Sequence, residues 1–509
     1  MQQSTQLRIL FCLFALALVV GGISAAAYAQ TVGGTLRGVV KDATGGVIPG
    51  ATVVAQNEAT GVKFETASSS AGLYSFPNVL AGSYTVTVEH PGFKKFVRKN
   101  IPVSANQVIE SNATLEVGAV STVIEVIGGA EMVSTTSYQV GTTVEAKAVI
   151  DLPNSVLGGS PLNLAVALPN TTTQAGGVAG EGGAIGGNRP RNNNFTIDGV
   201  DNNDVSITGS LQPVIQDAVG EFNLITNQFS AEYGHSTAGQ FNIISKSGTN
   251  QFHGSAFYYG QNRHLNAVDN LTKAAIQSGD IPGKPRFDYN RLGGTFGGPI
   301  QKDKLFFFGA YEYSTRGQAA TGVTVLSPTA AGMNTLNSLA ASPEVKSILQ
   351  QFPIASSQTE TVAVNGQTIG IGNVQFFAPD FYNQNDFQTN LDANYGKHQI
   401  RGRFLYDRYR SPNLNPDLPM PQFAGNYVGD NRKLALTDIW AITSRAVNDF
   451  RLSYSRSVKK WTVPDQFANF PNVEIDALGL NIGPEGNSNT PWWCGMSNER
   501  PSTTSPSAR

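Results

Sequence analysis

Along the last half of the chain, apolar and polar positions alternate one by one. In residues 386–395, Phe387, Thr389, Leu391, Ala393 and Tyr395 share one parity, and Asp386, Gln388, Asn390, Asp392 and Asn394 share the other. A period of two belongs to extended strands, whose side chains point to opposite faces in turn. After a tight turn at Gly396-Lys397-His398 the pattern resumes. Ile400, Gly402, Phe404 and Tyr406 oppose Arg401, Arg403, Leu405 and Asp407. A second pair spans about 433–443 and 447–457, where Phe450, Leu452 and Tyr454 oppose Asp449, Arg451, Ser453 and Ser455. Earlier strands are expected near 251–260, 287–297 and 305–314, giving seven in all. One face is rich in Phe, Tyr and Leu; the other carries charges and amides. Segments of roughly ten residues with this alternation suit strands that cross an outer membrane, lipid on one side and a polar lumen on the other. Long polar insertions, at 318–385 and 411–431, alternate with short turns, as such barrels require.

The first third alternates in shorter runs. Thr35, Arg37 and Val39 oppose Leu36, Gly38 and Val40, before a turn at residues 42–46. Further turns at Ala71-Gly72 and Ala81-Gly82 each precede a strand, at 73–76 and 83–88. Turn signals every ten or so residues predict an all-β sandwich. Tyr74, Phe76 and Tyr84 fall on its core parity. Gly50 and Gly72 suit turns with positive φ.

Between these regions the pattern is mixed. Residues 121–127 form a β run that ends at Gly128-Gly129. Two short apolar periodicities, 146–152 and 161–168, predict short helices. A Gly- and Asn-rich stretch follows at 175–194. It is no phosphate-binding loop, because no Gly-Lys-Ser/Thr follows and no helix opens there. The carboxylates of Asp198, Asp201 and Asp204 invite a calcium reading, but the EF-hand order is absent. Phe195 to Gly199 reads instead as a strand ending in an Asp-Gly turn.

The residues that carry chemistry elsewhere are sparse. Five histidines, His90, His235, His253, His264 and His398, are scattered, with no metal-ligand spacing. There is no nucleophile elbow. No cofactor, no metal and no enzymatic activity are expected. The 35 basic and 37 acidic residues nearly cancel, which argues against nucleic acid as a partner. Only 14% of residues are charged, below the roughly 25% of a soluble domain. At the N-terminus, Arg8 precedes an apolar run, 9–20, and Ala27-Tyr28-Ala29 fits a cleavage site. A signal peptide over 1–29 and export are expected. Cleavage there would remove Cys12 and leave Cys494 unable to form an intrachain disulfide.

Longer strings of residues resemble known families. The run GVVKDATGGVIPGATVVAQN, followed by SAGLYSFPNVLAGSYTVTVEHPGF, resembles the carboxypeptidase regulatory-like domain, a transthyretin-like sandwich with a carbohydrate-binding-like fold. Ile197-Asp198-Gly199 resembles the plug motif of TonB-dependent outer-membrane receptors. Ala231-Glu232-Tyr233-Gly234, then Ser245-Lys246-Ser247-Gly248 and Phe252-His253-Gly254, resemble the plug-to-barrel junction of the Oar-like type. FGGPIQKDKLFFFGAYEY is similar to the same receptors.

The resemblance implies a mainly β chain in five parts. After the signal peptide come a sandwich at 33–117, an α+β plug at 120–247, an incomplete antiparallel transmembrane barrel at 248–480 and an irregular tail at 481–509. It implies residence in the outer membrane, against its lipid, and uptake of a large ligand such as a glycan or a peptide. An inner-membrane energy-coupling protein would be the partner. Val123, Ile124 and Val126 stand where such receptors carry a coupling segment; the other reading, an ordinary first strand of the plug, is preferred. Seven strands are too few for a plugged barrel of about 22, so the chain is expected to be a C-terminally truncated piece. The other functional readings are a secreted surface protein that binds carbohydrate or adheres, and a non-functional fragment of a longer receptor.

Overall fold

Alternation in the sequence becomes strand in the computed structural model. It describes residues 33–118, 123–127, 139–152, 160–172, 181–204, 209–229, 233–234, 236–278, 283–412, 421–423, 425–443, 446–462, 464–467, 470–471, 473–475, 480–483 and 493–496. The expected leader and its cleavage site lie outside the described residues, as does Glu232.

The first module comprises β1 (Gly33–Asp42), β2 (Thr52–Asn57), β3 (Lys63–Ala67), β4 (Leu73–Leu80), β5 (Gly82–Glu89), β6 (Lys95–Val103), β7 (Val108–Glu110), β8 (Ala113–Leu115) and β9 (Val123–Ile127). One sheet runs β4-β1-β7, with β8 also on β1; the other runs β3-β2-β5-β6-β9. Leu36, Val40, Val53, Tyr74, Phe76, Tyr84, Val86 and Val88 fill the space between them. These are the inward parities expected of a sandwich. Tyr84 keeps its hydroxyl satisfied by donating to the Leu80 carbonyl at 2.9 Å. Burial pushes the Tyr74 and Tyr84 phenols up to about 12. Gly72 sits at φ +71°, and a Cβ there would lie 2.7 Å from the Val40 carbonyl oxygen, so glycine is required twice over. One expectation is corrected. The 123–127 strand is not the first strand of the middle module, because it pairs in parallel with β6, Lys95 opposite Val123 through Lys99 opposite Ile127.

The middle module contains β10 (Val140–Glu145), β11 (Thr171–Thr172), β12 (Ala184–Ile185), β13 (Asn194–Ile197), β14 (Val200–Asp201), β15 (Val219–Asn227) and β16 (Gln240–Ser245). Its main sheet runs β10-β15-β16-β13-β14, with β13 parallel to β16. The two expected helices form at Ala146–Asp151 and, as a 3-10 helix, at Pro161–Ala167. The core clusters Leu162, Leu164, Phe195, Phe222, Phe241 and Ile243, and takes in Leu405 from the next module. Phe241 lies between two rings, its centroid 5.0 Å from Phe195 and 6.0 Å from Phe222.

The last module is one antiparallel wall. It is built of β17 (His253–Asn262), β18 (Phe287–Gln301), β19 (Leu305–Pro328), β20 (Glu360–Val364), β21 (Gln367–Tyr395), β22 (His398–Pro412), β23 (Asn426–Thr443), β24 (Ala446–Thr462) and, after a small ribbon of β25 (Val473–Ile475) and β26 (Leu480–Ile482), β27 (Trp493–Met496). Neighbours follow in the order β17-β18-β19-β21-β22-β23-β24-β27, with β20 on β21. The sheet is open, β17 at one edge and β27 at the other. Burial is inverted with respect to a soluble core. Phe387, Leu391, Leu434, Phe450, Leu452 and Tyr454 are exposed, while Asn390, Asp392, Arg401, Arg403, Asp407, Asn431 and Lys433 are buried. A sheet with polar groups inside and a continuous apolar exterior is suited to lipid.

Three sequence expectations change here. Among the described residues the wall holds nine strands, not seven, because β20 and β27 add to it. The tail expected to be irregular supplies β27, paired with β24 from Lys460 opposite Trp493 to Ser457 opposite Met496. The polar stretches read as loops are partly strand. β19 and β21 run for 24 and 29 residues, well past the 9–11 or so that cross a bilayer. Ladder hydrogen bonds are made by backbone, so pairing continues to Pro328 opposite Ile371 after the apolar face has ended. Beyond it, helices at Ala330–Leu339 and Pro343–Leu349 pack into an apolar cluster of Met333, Leu349, Phe352 and Phe423.

Candidate functional site

The Asp-Gly turn read from the sequence is a two-residue hairpin. Ile197 pairs with Val200, and Asp198 and Gly199 both have positive φ, +48° and +71°. Such a primed turn tolerates Asp at its first position and favours Gly at the second. The turn does not face solvent. It points at the polar face of β22, β23 and β24.

Four side chains form the centre. Register places Asp392 of β21 opposite Arg401 of β22, with Arg403 two residues on and on the same face. Into this row comes Asp198. Arg403 Nε donates to Asp198 Oδ2 at 3.0 Å and its Nη1 lies 2.8 Å from Asp392 Oδ1. Arg401 Nε lies 3.3 Å from Asp392 Oδ1, and its Nη2 lies 3.6 Å from Asp198 Oδ1. All four side chains are less than 10% exposed, and the two charges of each sign balance. Asp198 also accepts from the Ser245 amide at 3.1 Å and from its hydroxyl, which ties it to β16. Asn390 of the wall donates to Ser245 Oγ at 2.9 Å and to the Lys246 carbonyl at 2.7 Å.

More cations surround this seat. Arg451 Nη1 donates to the Gly199 carbonyl at 2.7 Å. Lys433 donates to the Asp201 carbonyl, and Lys459 pairs with Asp204. Four basic side chains of three consecutive strands thus grip one hairpin, and Lys459 holds the segment just beyond it. On another part of the wall, Arg291 is held bidentate by Glu312, both bonds at 2.8 Å, and donates to Gln216 of the middle module at 3.1 Å. The chemistry is that of a fixed polar seat. Every cation has an oxygen partner, and no group of His, Cys, Asp and Glu among the described residues suits a metal ion.

The other sequence candidates scatter around this centre. Lys246 donates to the Asp217 carbonyl at 2.8 Å, and burial holds its ammonium below the usual lysine range. Gly248 packs so closely on the wall that a Cβ would lie 2.3 Å from the Phe307 carbonyl oxygen. His253 stacks on Phe308 and its Nδ1 lies 3.0 Å from the Gln251 carbonyl oxygen. Gly254 opposes Phe296 in the β17–β18 ladder. Gly234 accepts from Gln240 at 3.2 Å, and Tyr233 is buried beside it. Val123, Ile124 and Val126 lie in β9, on the sandwich and away from the hairpin. Sequence reasoning placed Arg401, Arg403 and Arg451 on a polar face. It did not find that they hold Asp198 and Gly199, because those contacts join positions about 200 or more residues apart.

Comparison with known proteins matches two parts of the chain to families. Residues 244–504 match the outer membrane beta barrel domain family, and residues 35–116 match the carboxypeptidase regulatory-like domain. A curated relative, the TonB-dependent transporter Oar of Myxococcus xanthus, is 29% identical over 296 residues, which is 56% of this chain and 27% of that one. The chain therefore spans about a quarter of the length of the curated relative it matches. Among solved structures, a mutant of the ferric enterobactin receptor PfeA from Pseudomonas aeruginosa is 14% identical, with a TM-score of 0.36, over 64% of this chain and 50% of that one. The siderophore receptor PirA from Acinetobacter baumannii is 14% identical, with a TM-score of 0.34, over 64% and 48%.

Proposed function

The chain belongs to the outer membrane beta barrel domain family, and we propose that it works there as a plugged, TonB-dependent receptor that takes up a large ligand. The middle module is the plug. The observation that carries this is the buried seat of Asp198 on Arg401 and Arg403, inside a wall whose outer face is apolar. A wall that only adhered to surfaces would have no use for a separate module seated by ions on its inner face. Ion pairs of this kind suit a part that must be held in one register and later released. The outward Phe and Leu side chains meet outer-membrane lipid. The sandwich lies in the periplasm, beside the short turns of the wall. Energy to move the plug comes from an inner-membrane coupling protein, and the segment 123–127 is the candidate for its attachment by strand addition. The ligand is a glycan or a peptide, bound by the polar loops and the inner face.

Fractionation of cells producing the chain tests this. Recovery in the outer-membrane fraction, released only by detergent, is the expected result. A chain found soluble in the periplasm, unchanged by lipid, would overturn it in favour of the secreted surface protein.

A further inference from the structure

We propose that the N-terminal sandwich is a brace that locks the plug to the wall, so that the plug leaves only after the sandwich has separated from the wall's short-turn rim. The proposal rests on reading the middle module as a plug. It begins with a continuous line of hydrogen bonds through all three modules. Asn78, at the end of β4, accepts from the Gly33 amide at 3.1 Å and donates to Asp449 of β24 at 3.0 Å. Asp449 takes both remaining arms of Arg451, at 2.9 and 2.6 Å, and Arg451 holds the Gly199 carbonyl of the seated hairpin at 2.7 Å. One sandwich side chain therefore orients the guanidinium that grips the plug turn.

Two further contacts bind the same three bodies. Ala105 of the sandwich, Ile244 of the plug and Ile439 of the wall form one buried apolar cluster, with Leu80 and Val447 packed against it. The Ala105 amide also donates to Glu221 of β15 at 3.1 Å. At the rim, the Asn250 amide donates to the Ala59 carbonyl at 3.0 Å, and Gly61 packs on Asp303 so closely that a Cβ would collide with its carboxylate. Between these ties the modules leave an open cleft of about 440 Å³, lined by Phe64 and Tyr84 of the sandwich, Lys246 of the plug, and Phe306 and Asp392 of the wall. The interface is thus a set of separate ties around a cleft and not a continuous core. That is the construction of a joint that opens, because few contacts must break together.

Hydrogen exchange of the full chain in lipid tests the brace. Asn78→Gly removes the tie while keeping the positive φ of 54° that residue 78 adopts. Exchange in residues 194–201 is expected to rise about fivefold, the effect of one lost hydrogen bond on local opening, while β5 keeps its protection. Ala105→Glu, which sets a second carboxylate against Glu221 without touching the sandwich core, is expected to do the same. It decides the matter if Asn78→Gly unfolds the sandwich. Unchanged exchange at 194–201 in Ala105→Glu, with β21 to β23 protected, would overturn the brace and leave the receptor standing. Free exchange of β21 to β23 in the unsubstituted chain would remove the receptor reading and the brace with it.

Discussion

Arg403 reaches Asp198 at 3.0 Å across 205 positions of sequence, and that bond helps to set where the Asp-Gly hairpin of the middle module sits on the wall. Both side chains are buried, so neither is screened by water. Their partners, Arg401 and Asp392, balance the charge.

Removing one member of this set leaves a buried charge without compensation. Arg403→Ala is expected to cost about 3–5 kcal/mol, read as earlier unfolding of the middle module in denaturant and faster proteolysis at 194–201. Replacing Asp198 and Arg403 together by apolar residues should cost less than either change alone. A double variant as unstable as the sum of both would show that the two groups do not act as a pair.

Leu391 lies on the outer face, half exposed, opposite Gly402. Leu391→Arg is expected to cost about 2–4 kcal/mol near the bilayer midplane, measured as refolding into lipid vesicles. Asn390→Arg, one residue away, faces the middle module and should leave lipid insertion alone while loosening the Lys246 contact.

Glu221 predicts a pH dependence. Burial pushes its carboxyl up from 4.5 to about 7, with Glu145 adding to the rise and the Asn223 and Ala105 hydrogen bonds opposing it. A raised folded-state value means the folded form holds the proton more tightly than the unfolded one. The contribution is therefore complete below about pH 4.5 and falls as pH rises to about 7, beyond which it stays flat, a total of at most about 3 kcal/mol. Denaturant midpoints should be higher at pH 5 than at pH 8. Glu221→Gln should flatten the profile between them; an unchanged slope would assign the effect to another group.

The sandwich core is self-contained. Deletion of the sandwich, residues 33–127, is expected to leave membrane insertion intact while raising exchange in the middle module. Loss of insertion would show that the wall needs the sandwich to fold.

Much of the wall was legible because a strand needs only local information to declare its two faces. The opposition of Leu391 and Asp392, or of Phe404 and Arg403, is written in adjacent residues, and lipid outside with polar groups inside follows from it. The sandwich was legible for the same reason, with Gly50 and Gly72 marking turns that the backbone confirms at φ +70° and +71°. The Asp-Gly hairpin was also readable, since two neighbouring residues set its geometry.

Length and partnership were not local. The pairing of β19 with β21 runs on through polar sequence because backbone ladders do not consult side chains, and so a stretch read as loop became strand. The 123–127 strand looked like the start of the plug, and only the free edge of β6 decided that it completes the sandwich. By itself the sequence determined which face of each element is apolar, since that depends on residues one or two apart. Only the tertiary structure decided that Asp198 meets Arg403 and that Asn78 reaches Asp449. Those pairs are brought together by strand register and module docking, and neither is encoded in any window shorter than the fold.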